Sequence, residues 1–146
     1  MHPLIHLNWL AIIVAVIASF LLGGLWYGPL FGKAWRKEMG VPEGVKPSGA
    51  EMTKPIVLNI IGTFLTAFVL AHEVQVWRPS SWNAGTDASA AVYGFFGGFF
   101  PWLGFQVPVL LNAVAFERKS WKLFFINAAY LFISLQLIGM ILSHWR

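Results

Sequence analysis

Cysteine is absent from the 146-residue chain, and charged residues are scarce. Without cysteine the protein has no disulfide bonds, thiolate nucleophiles or cysteine metal ligands. The absence also gives no information on whether the protein faces an oxidising or a reducing compartment. Asp, Glu, Lys and Arg make up 11% of the residues, whereas a soluble domain carries about a quarter. Because little polar sequence exists outside the apolar segments, there is no room for a separate soluble domain.

The few charges that are present bear on the choice of partner. The net charge is +4, and the cations lie in short segments beside long apolar runs. That arrangement is typical of membrane topology signals rather than of nucleic-acid binding. We therefore expect the lipid bilayer as a partner and no nucleic acid.

Motifs for catalysis are also missing. Ser19, Ser89 and Ser134 lie in apolar segments without a GxSxG turn, and no phosphate-binding glycine loop occurs. No Asp, Glu, Lys or Arg lies near the middle of an apolar segment, which argues against a charge-relay pump or a voltage sensor. The sequence predicts no catalytic residue and no cofactor. The sequence does not decide whether the protein is an enzyme, and it favours a protein without catalytic activity.

What the chain does have is four long apolar stretches, at about residues 7–28, 55–77, 88–115 and 121–145. A membrane helix needs about 20 apolar residues, and each stretch reaches that length. No Lys or Arg precedes the first stretch, which also continues past Ala18, so we expect a retained helix rather than a signal peptide. The sequence predicts an all-α polytopic membrane protein with one four-helix domain over residues 1–146.

The distribution of cations predicts the orientation. Eight of the ten Lys and Arg residues lie between spans one and two or around the start of span four, and only Arg78 and Arg146 lie on the other side. The positive-inside rule then places both termini outside the cytoplasm, in a multi-pass protein of the cytoplasmic membrane. Residues 29–39 carry apolar side chains on one helical face and cations on the other. We expect a short interfacial helix there on the cytoplasmic leaflet, with a plain basic loop as the alternative.

Small residues recur every four positions in two spans. In a bilayer such stripes allow close approach of helix backbones. We expect the first and third helices to pack along them, without knowing whether the partner helix belongs to the same chain. The stripes consist of Ala11, Ala15, Ser19 and Gly23 in the first span and Ala90, Gly94 and Gly98 in the third.

Two groups of polar residues are candidates for a site. Asn59, Asn112 and Asn127 lie at similar depth near the cytoplasmic side and predict a polar intramembrane ring, through either interhelical hydrogen bonds or solute binding. The external end carries weak candidates for metal binding or proton uptake. Because no HxxxH or HExxH spacing is present, the alternative is that these are ordinary polar residues at the membrane interface. These external candidates are His6, His72, Glu73, Asp87 and His144.

One segment supports a family resemblance. The residues Asn8-Trp9-Leu10-Ala11, then Phe20 and Gly24, then Trp26–Lys33 (WYGPLFGK) and Trp35 form an opening signature. This signature resembles that of an uncharacterised bacterial family of small four-helix membrane proteins, classified as a domain of unknown function. The resemblance implies the same fold and an integral membrane location, and it implies no activity.

Three functions are compatible with these features. The leading hypothesis is a non-catalytic assembly or accessory subunit, either a homo-oligomer or part of a larger membrane complex. The second is a carrier or channel for a small neutral or weakly charged solute. The third is a metal-dependent membrane enzyme that uses the external His, Glu and Asp residues.

Overall fold

The protein is built from helices, and the computed structural model describes residues 2–146 of the chain. No strand occurs in that part, which confirms the all-α fold class. The elements are α1 (Trp9–Leu25), a π-helical turn (Trp26–Leu30), α2 (Gly32–Glu38), α3 (Gly49–Val76), a 3₁₀ helix (Pro79–Trp82), α4 (Ala90–Pro101), a second π-helical turn (Trp102–Gln106), α5 (Val107–Phe116) and α6 (Trp121–His144).

Four helical segments are long and apolar enough to cross a membrane, and they suggest a multi-pass membrane protein. They cover Trp9–Leu30, Gly49–Val76, Ala90–Phe116 and Trp121–His144. The amino-terminal segment, the α3–α4 loop and the carboxyl terminus meet at one end, because Leu4 N–H donates to Ser81 and Arg146 pairs with Asp87. We call this the termini end, and the opposite end, with the α1–α3 and α5–α6 connections, the loop end.

Side-chain caps explain where several helices begin. Asn8 accepts a hydrogen bond from the Ala11 N–H at the start of α1, and Ser120 does the same for Leu123 in α6. Ser48 and Glu51 form a reciprocal capping box. Because of this box, α3 begins at Gly49, ahead of the apolar stretch predicted from residue 55.

The segment after α1 differs in detail from the interfacial helix predicted over residues 29–39. Its α-helical part is shorter, Gly32–Glu38, and a π-helical turn containing Pro29 precedes it. Gly28 has the non-helical angles φ −99° and ψ −105°, because the following proline ring disfavours the helical region for the residue before it. At the loop end Glu38 accepts a hydrogen bond from Ser120 and lies 3.8 Å from Lys122, which ties α2 to the start of α6.

Helix α6 is the centre of the bundle, and α4, α1 and α3 all pack on it. The sequence predicted that the first and third membrane spans pack on each other. This prediction is wrong, because α1 of the first span and α4 of the third span make at most marginal contact. The small residues of α4 face α6 instead: a Cβ added at Gly98 would lie 2.8 Å from the Leu135 carbonyl oxygen. On α1, Ala11, Ala15 and Ser19 are buried, whereas Gly23 adjoins Tyr130 of α6. Ala90, the first residue of α4, is half-buried.

The main cluster of the apolar core occupies the half of the bundle near the termini end. Its buried members come from α1, α3 and α6, and Trp102 packs against them. The core consists of Ala11, Ile12, Ala15, Val16, Ala67, Leu70, Ala71, Val74, Leu135, Ile138 and Leu142. Toward the loop end Trp26, Leu123 and Ile126 are also buried, and two cavities open between the helices.

Candidate functional site

A polar cavity of about 360 Å³ lies between α1, α3, α6 and the second π-helical turn, on the loop-end side of the core. Hydroxyl and amide groups contribute its polar wall, together with Leu58, Leu131 and other apolar residues. No charged side chain lines it. The polar residues of the wall are Ser19, Asn59, Thr63, Thr66, Gln106, Tyr130 and Ser134.

Some of these polar groups are already paired. The hydroxyl oxygens of Ser19 and Ser134 lie 2.7 Å apart, and both residues are buried. The Thr66 hydroxyl donates to the Gly62 carbonyl within α3 at 3.0 Å. This serine pair joins α1 to α6 at the boundary between the apolar core and the cavity.

Four other side chains of the wall are free to bind. No side-chain hydrogen bond with any of residues 2–146 is made by Asn59, Thr63, Gln106 or Tyr130. Each of these side chains can both donate and accept hydrogen bonds. The wall therefore offers uncharged hydrogen-bonding capacity between helices of membrane-spanning length.

A second cavity of about 430 Å³ adjoins the first on the side of the loop end. Asn59 and Tyr130 line both cavities and thus stand at their junction. Gly23 makes room for the phenol, since a Cβ at that position would lie 3.0 Å from the Tyr130 hydroxyl oxygen. Tyr27 and Met52 complete the wall toward the loop end.

The three predicted asparagines occupy different environments. Asn127 accepts a hydrogen bond of 2.9 Å from the Tyr27 hydroxyl, and Asn59 faces the two cavities. Asn112 is exposed on α5 and lines neither cavity. No hydrogen bond joins any two of these amides within the described chain. The polar site is thus made of Asn59 with hydroxyl groups and Gln106.

Both π-helical turns are fastened to α6 by tryptophan. Trp26 donates its indole N–H to the Ile126 carbonyl at 3.1 Å, and Trp102 donates to the Ala128 carbonyl at 2.8 Å. The two bonds flank Asn127 on α6. The second turn ends at Gln106, so its anchoring determines where the Gln106 amide meets the cavity. Such turns are frequent at functional sites in helices.

At the termini end a charged cluster closes the bundle. The Arg78 side chain is 1% exposed, and it donates to the Val74 carbonyl at 3.1 Å and the Ser143 carbonyl at 2.8 Å. It lies 3.5 Å from Asp87 and 4.5 Å from the centre of the Tyr93 ring. Burial lowers the pKa of Arg78, while Asp87 opposes that shift.

Asp87 completes this cluster. It accepts hydrogen bonds from the Ser80 N–H at 2.9 Å and hydroxyl at 2.8 Å, and Arg146 lies at 3.2 Å. The Ser80 backbone bond is the main reason why the pKa of Asp87 lies below its usual value, with Ser80 hydroxyl and arginine contacts adding to it. The cluster stabilises the fold by linking the α3–α4 loop to the end of α6.

The predicted metal candidates are held in separate interactions. The Nδ1 atoms of His72 and His144 lie within hydrogen-bonding distance of the Phe68 and Met140 carbonyls of their own helices. The backbone of His6 pairs with the Gln75 side chain. Asp87 belongs to the arginine cluster, and Glu73 lines an apolar groove. Across residues 2–146 no three His, Asp or Glu side chains are grouped so that they could hold a metal ion.

The sequence analysis did not identify several residues that the structure places in these sites. Arg78 and Asp87 are the only charged residues between α3 and α4, and that pairing of opposite charges was a readable signal. Tyr27 and Tyr130 had no such signal, because they meet from positions more than 100 residues apart in sequence. Gln106 likewise had no sequence signal, because it is the π-helical turn that brings it to the cavity.

The comparisons with known proteins identify a family and no activity. A family described as "Protein of unknown function (DUF1761)" matches residues 10–143, nearly the whole chain. No curated protein and no solved structure shows significant similarity to the chain.

Proposed function

The chain belongs to the DUF1761 family of proteins of unknown function, and from its polar cavity we propose that it is a carrier or channel for a small neutral solute. The observation that carries this proposal is the uncharged, hydrogen-bonding wall between helices of membrane-spanning length, with the unpaired side chains of Asn59, Thr63, Gln106 and Tyr130. A solute that suits it carries several hydroxyl or amide groups and no net charge.

The energetic argument starts from the membrane. An unpaired amide or hydroxyl in hydrocarbon costs several kcal/mol, by an order-of-magnitude estimate. The four unpaired side chains that line the cavity are stabilised if water or a polar solute fills it. No Lys, Arg, Asp or Glu lines the cavity, so a charged solute would lack a counter-charge.

The dimensions also suit a small solute. Cavities of about 300–1,000 Å³ are usual for small-molecule sites, and the two adjoining cavities have about 360 and 430 Å³. The second one extends toward the loop end, whereas the apolar core separates both from the termini end. Passage across the bundle therefore requires a movement, for which the π-helical turn Trp102–Gln106 is the natural hinge.

The orientation belongs to the same proposal. Eight cations lie at or near the loop end against Arg78 and Arg146 at the termini end. This asymmetry supports termini outside the cytoplasm, in the cytoplasmic membrane, with α2 lying on the inner leaflet. The second cavity then opens toward the cytoplasm.

The test is solute flux in proteoliposomes, measured by light scattering after rapid mixing with urea or glycerol. We expect faster entry of at least one of the two than in protein-free liposomes. Asn59→Leu and Thr63→Val should each lower the protein-dependent rate about fivefold or more, equivalent to about 1 kcal/mol. Thr53→Val is the matched control, because Thr53 lies on the same helix, bonds to the Gly49 carbonyl and lines neither cavity.

Two results would reject the carrier. One is entry of both solutes at the rate of empty liposomes. The other is an equal loss of rate in Thr53→Val and Thr63→Val, which would indicate a general effect of altering α3.

A second candidate function is assembly, either with further copies of the chain or within a larger membrane complex. The specific observation is Asn112, which is exposed on α5, a helix with no buried residue. An amide that faces hydrocarbon is unfavourable, and an amide that faces another helix can form an interhelical hydrogen bond worth about 1 kcal/mol. This supports α5 as the contact surface.

Cross-linking in native membranes and mass measurement in mild detergent test the assembly. We expect a species larger than the monomer, which Asn112→Leu weakens and Asn59→Leu leaves unchanged. A strictly monomeric wild-type protein that recovers no partner would reject this candidate.

A further inference from the structure

A groove between α3 and α4 near the termini end has a different character from the polar cavity. It encloses about 250 Å³ and is almost entirely apolar. Its base is the close contact of the two helices, where a Cβ added at Gly97 would lie 2.8 Å from the Val74 side chain. Its walls include Trp77, Phe96 and Phe100.

Glu73 is the one carboxyl group on this groove. It is half-buried, about one helical turn inside the end of α3, and forms no ion pair or side-chain hydrogen bond with any residue from 2 to 146. The nearest basic residues in sequence are engaged elsewhere: His72 contacts its own helix, and Arg78 is held by Asp87 and two carbonyls. The groove therefore has an unpaired acidic group in apolar surroundings.

Aromatic rings line the same groove as Glu73. Phe96 and Phe100 are stacked with their centres 5.6 Å apart, and Trp77 follows Glu73 by one helical turn and is 72% exposed. Tyr93 also lines the groove, but Arg78 occupies one face of its ring. Aromatic faces attract cations, and most strongly where water is excluded.

We propose that this groove binds a lipophilic organic cation, a molecule with one positive charge and aromatic or alkyl substituents. The carboxylate of Glu73 supplies the opposite charge, and the rings of Trp77, Phe96 and Phe100 contact the substituents. A metal ion does not suit the groove, because a single carboxylate among hydrocarbon side chains leaves most coordination positions empty. This site is separate from the polar cavity and differs from it in the charge of its ligand.

The experiment compares two ions of matched shape and opposite charge, tetraphenylphosphonium and tetraphenylborate. Binding of each to the full-length protein is measured by equilibrium dialysis in an uncharged detergent, with subtraction of binding to detergent alone. We expect the wild-type protein to bind the phosphonium at least about tenfold more tightly than the borate. Glu73→Gln should weaken phosphonium binding about tenfold or more without weakening borate binding.

The matched control is Glu117→Gln, which makes the same chemical change on an exposed residue at the loop end. It should bind the phosphonium like the wild type. Phe96→Leu examines the aromatic contribution without altering the carboxylate, and we expect a loss of about threefold or more for the cation. Equal binding of the two ions by the wild type, or phosphonium binding by Glu73→Gln within twofold of the wild type, would overturn the proposal.

Discussion

Arg78 combines complete burial with a positive charge, and in the part of the chain that the structure describes no other charged residue is buried. Its guanidinium donates to carbonyls near the ends of α3 and α6 and contacts Asp87 in the α3–α4 loop. A buried arginine is tolerable only with such a full set of partners, because an uncompensated buried charge is strongly destabilising. The residue therefore closes the termini end of the bundle.

Replacement of Arg78 by methionine keeps most of the side-chain volume and removes these bonds. We expect the free energy of unfolding to fall by about 1.5–3 kcal/mol, the range for hydrogen bonds made by charged groups. Reversible unfolding in mixed micelles measures the change. Arg118→Met, an exposed residue at the loop end, is the control and should differ little from the wild type.

Asp87 makes the same cluster sensitive to acid. Because its pKa is lower in the folded protein than in the unfolded chain, its stabilising contribution is fully present above the ordinary aspartate pKa of about 3.9. The contribution is lost as the pH falls further, through the depressed pKa of the folded state. We expect the melting temperature of the wild type to decrease once the pH falls below about 4. The melting temperature of Asp87→Asn should depend less on pH.

The melting temperature between pH 7 and pH 3, followed by tryptophan fluorescence, checks this prediction. Glu43→Gln serves as the comparison, since Glu43 lies exposed in the connector, and its acid profile should parallel the wild type. An identical slope in Asp87→Asn and in the wild type would contradict the role assigned to Asp87.

At the level of helices, the contact between α4 and α6 depends on glycine. A Cβ at Gly94 would lie 2.6 Å from the Ser143 hydroxyl oxygen, and one at Gly98 would press on the backbone of α6. The spacing of small residues predicted close packing of this helix. It did not indicate which helix is the partner, because a small-residue stripe fits any backbone that approaches it.

Gly98→Ala tests this contact. The added methyl group has no free space, so we expect a loss of about 1–3 kcal/mol in the free energy of unfolding, as for other overpacked sites. Gly62→Ala is the matched control, because nothing lies within 4 Å of a Cβ there and alanine favours the helix. A Gly98→Ala protein as stable as Gly62→Ala would mean that the two helices pack less closely.

Helix boundaries show both what local sequence could predict and where it misled. The pair Ser48 and Glu51 is a capping-box signature, and it explains why α3 begins ahead of its apolar stretch. Pro29, by contrast, suggested the first turn of an interfacial helix, yet it lies within a π-helical turn. Trp26 of the same turn bonds to α6, and no local pattern reports a contact across 100 residues.

For the molecule as a whole, the membrane orientation is the most direct prediction to test. A periplasmically active reporter fused at either terminus should be active, and a reporter that works only in the cytoplasm should be inactive at both positions. The same cytoplasmic reporter inserted after Gly44, in the exposed α2–α3 connector, should be active. Opposite results for the two termini would contradict an even number of spans.

The sequence by itself determined that this chain is all-helical with four membrane-length segments, because hydrocarbon requires long apolar runs whose backbone bonds are satisfied internally. It also identified Asn59 and the small-residue stripes as features of interest. Only the tertiary structure decided that α6 is central, that the asparagines do not form one ring, and that a polar cavity lies beside an apolar core. Those outcomes depend on which helix faces meet, and many arrangements of four apolar helices satisfy the same local rules.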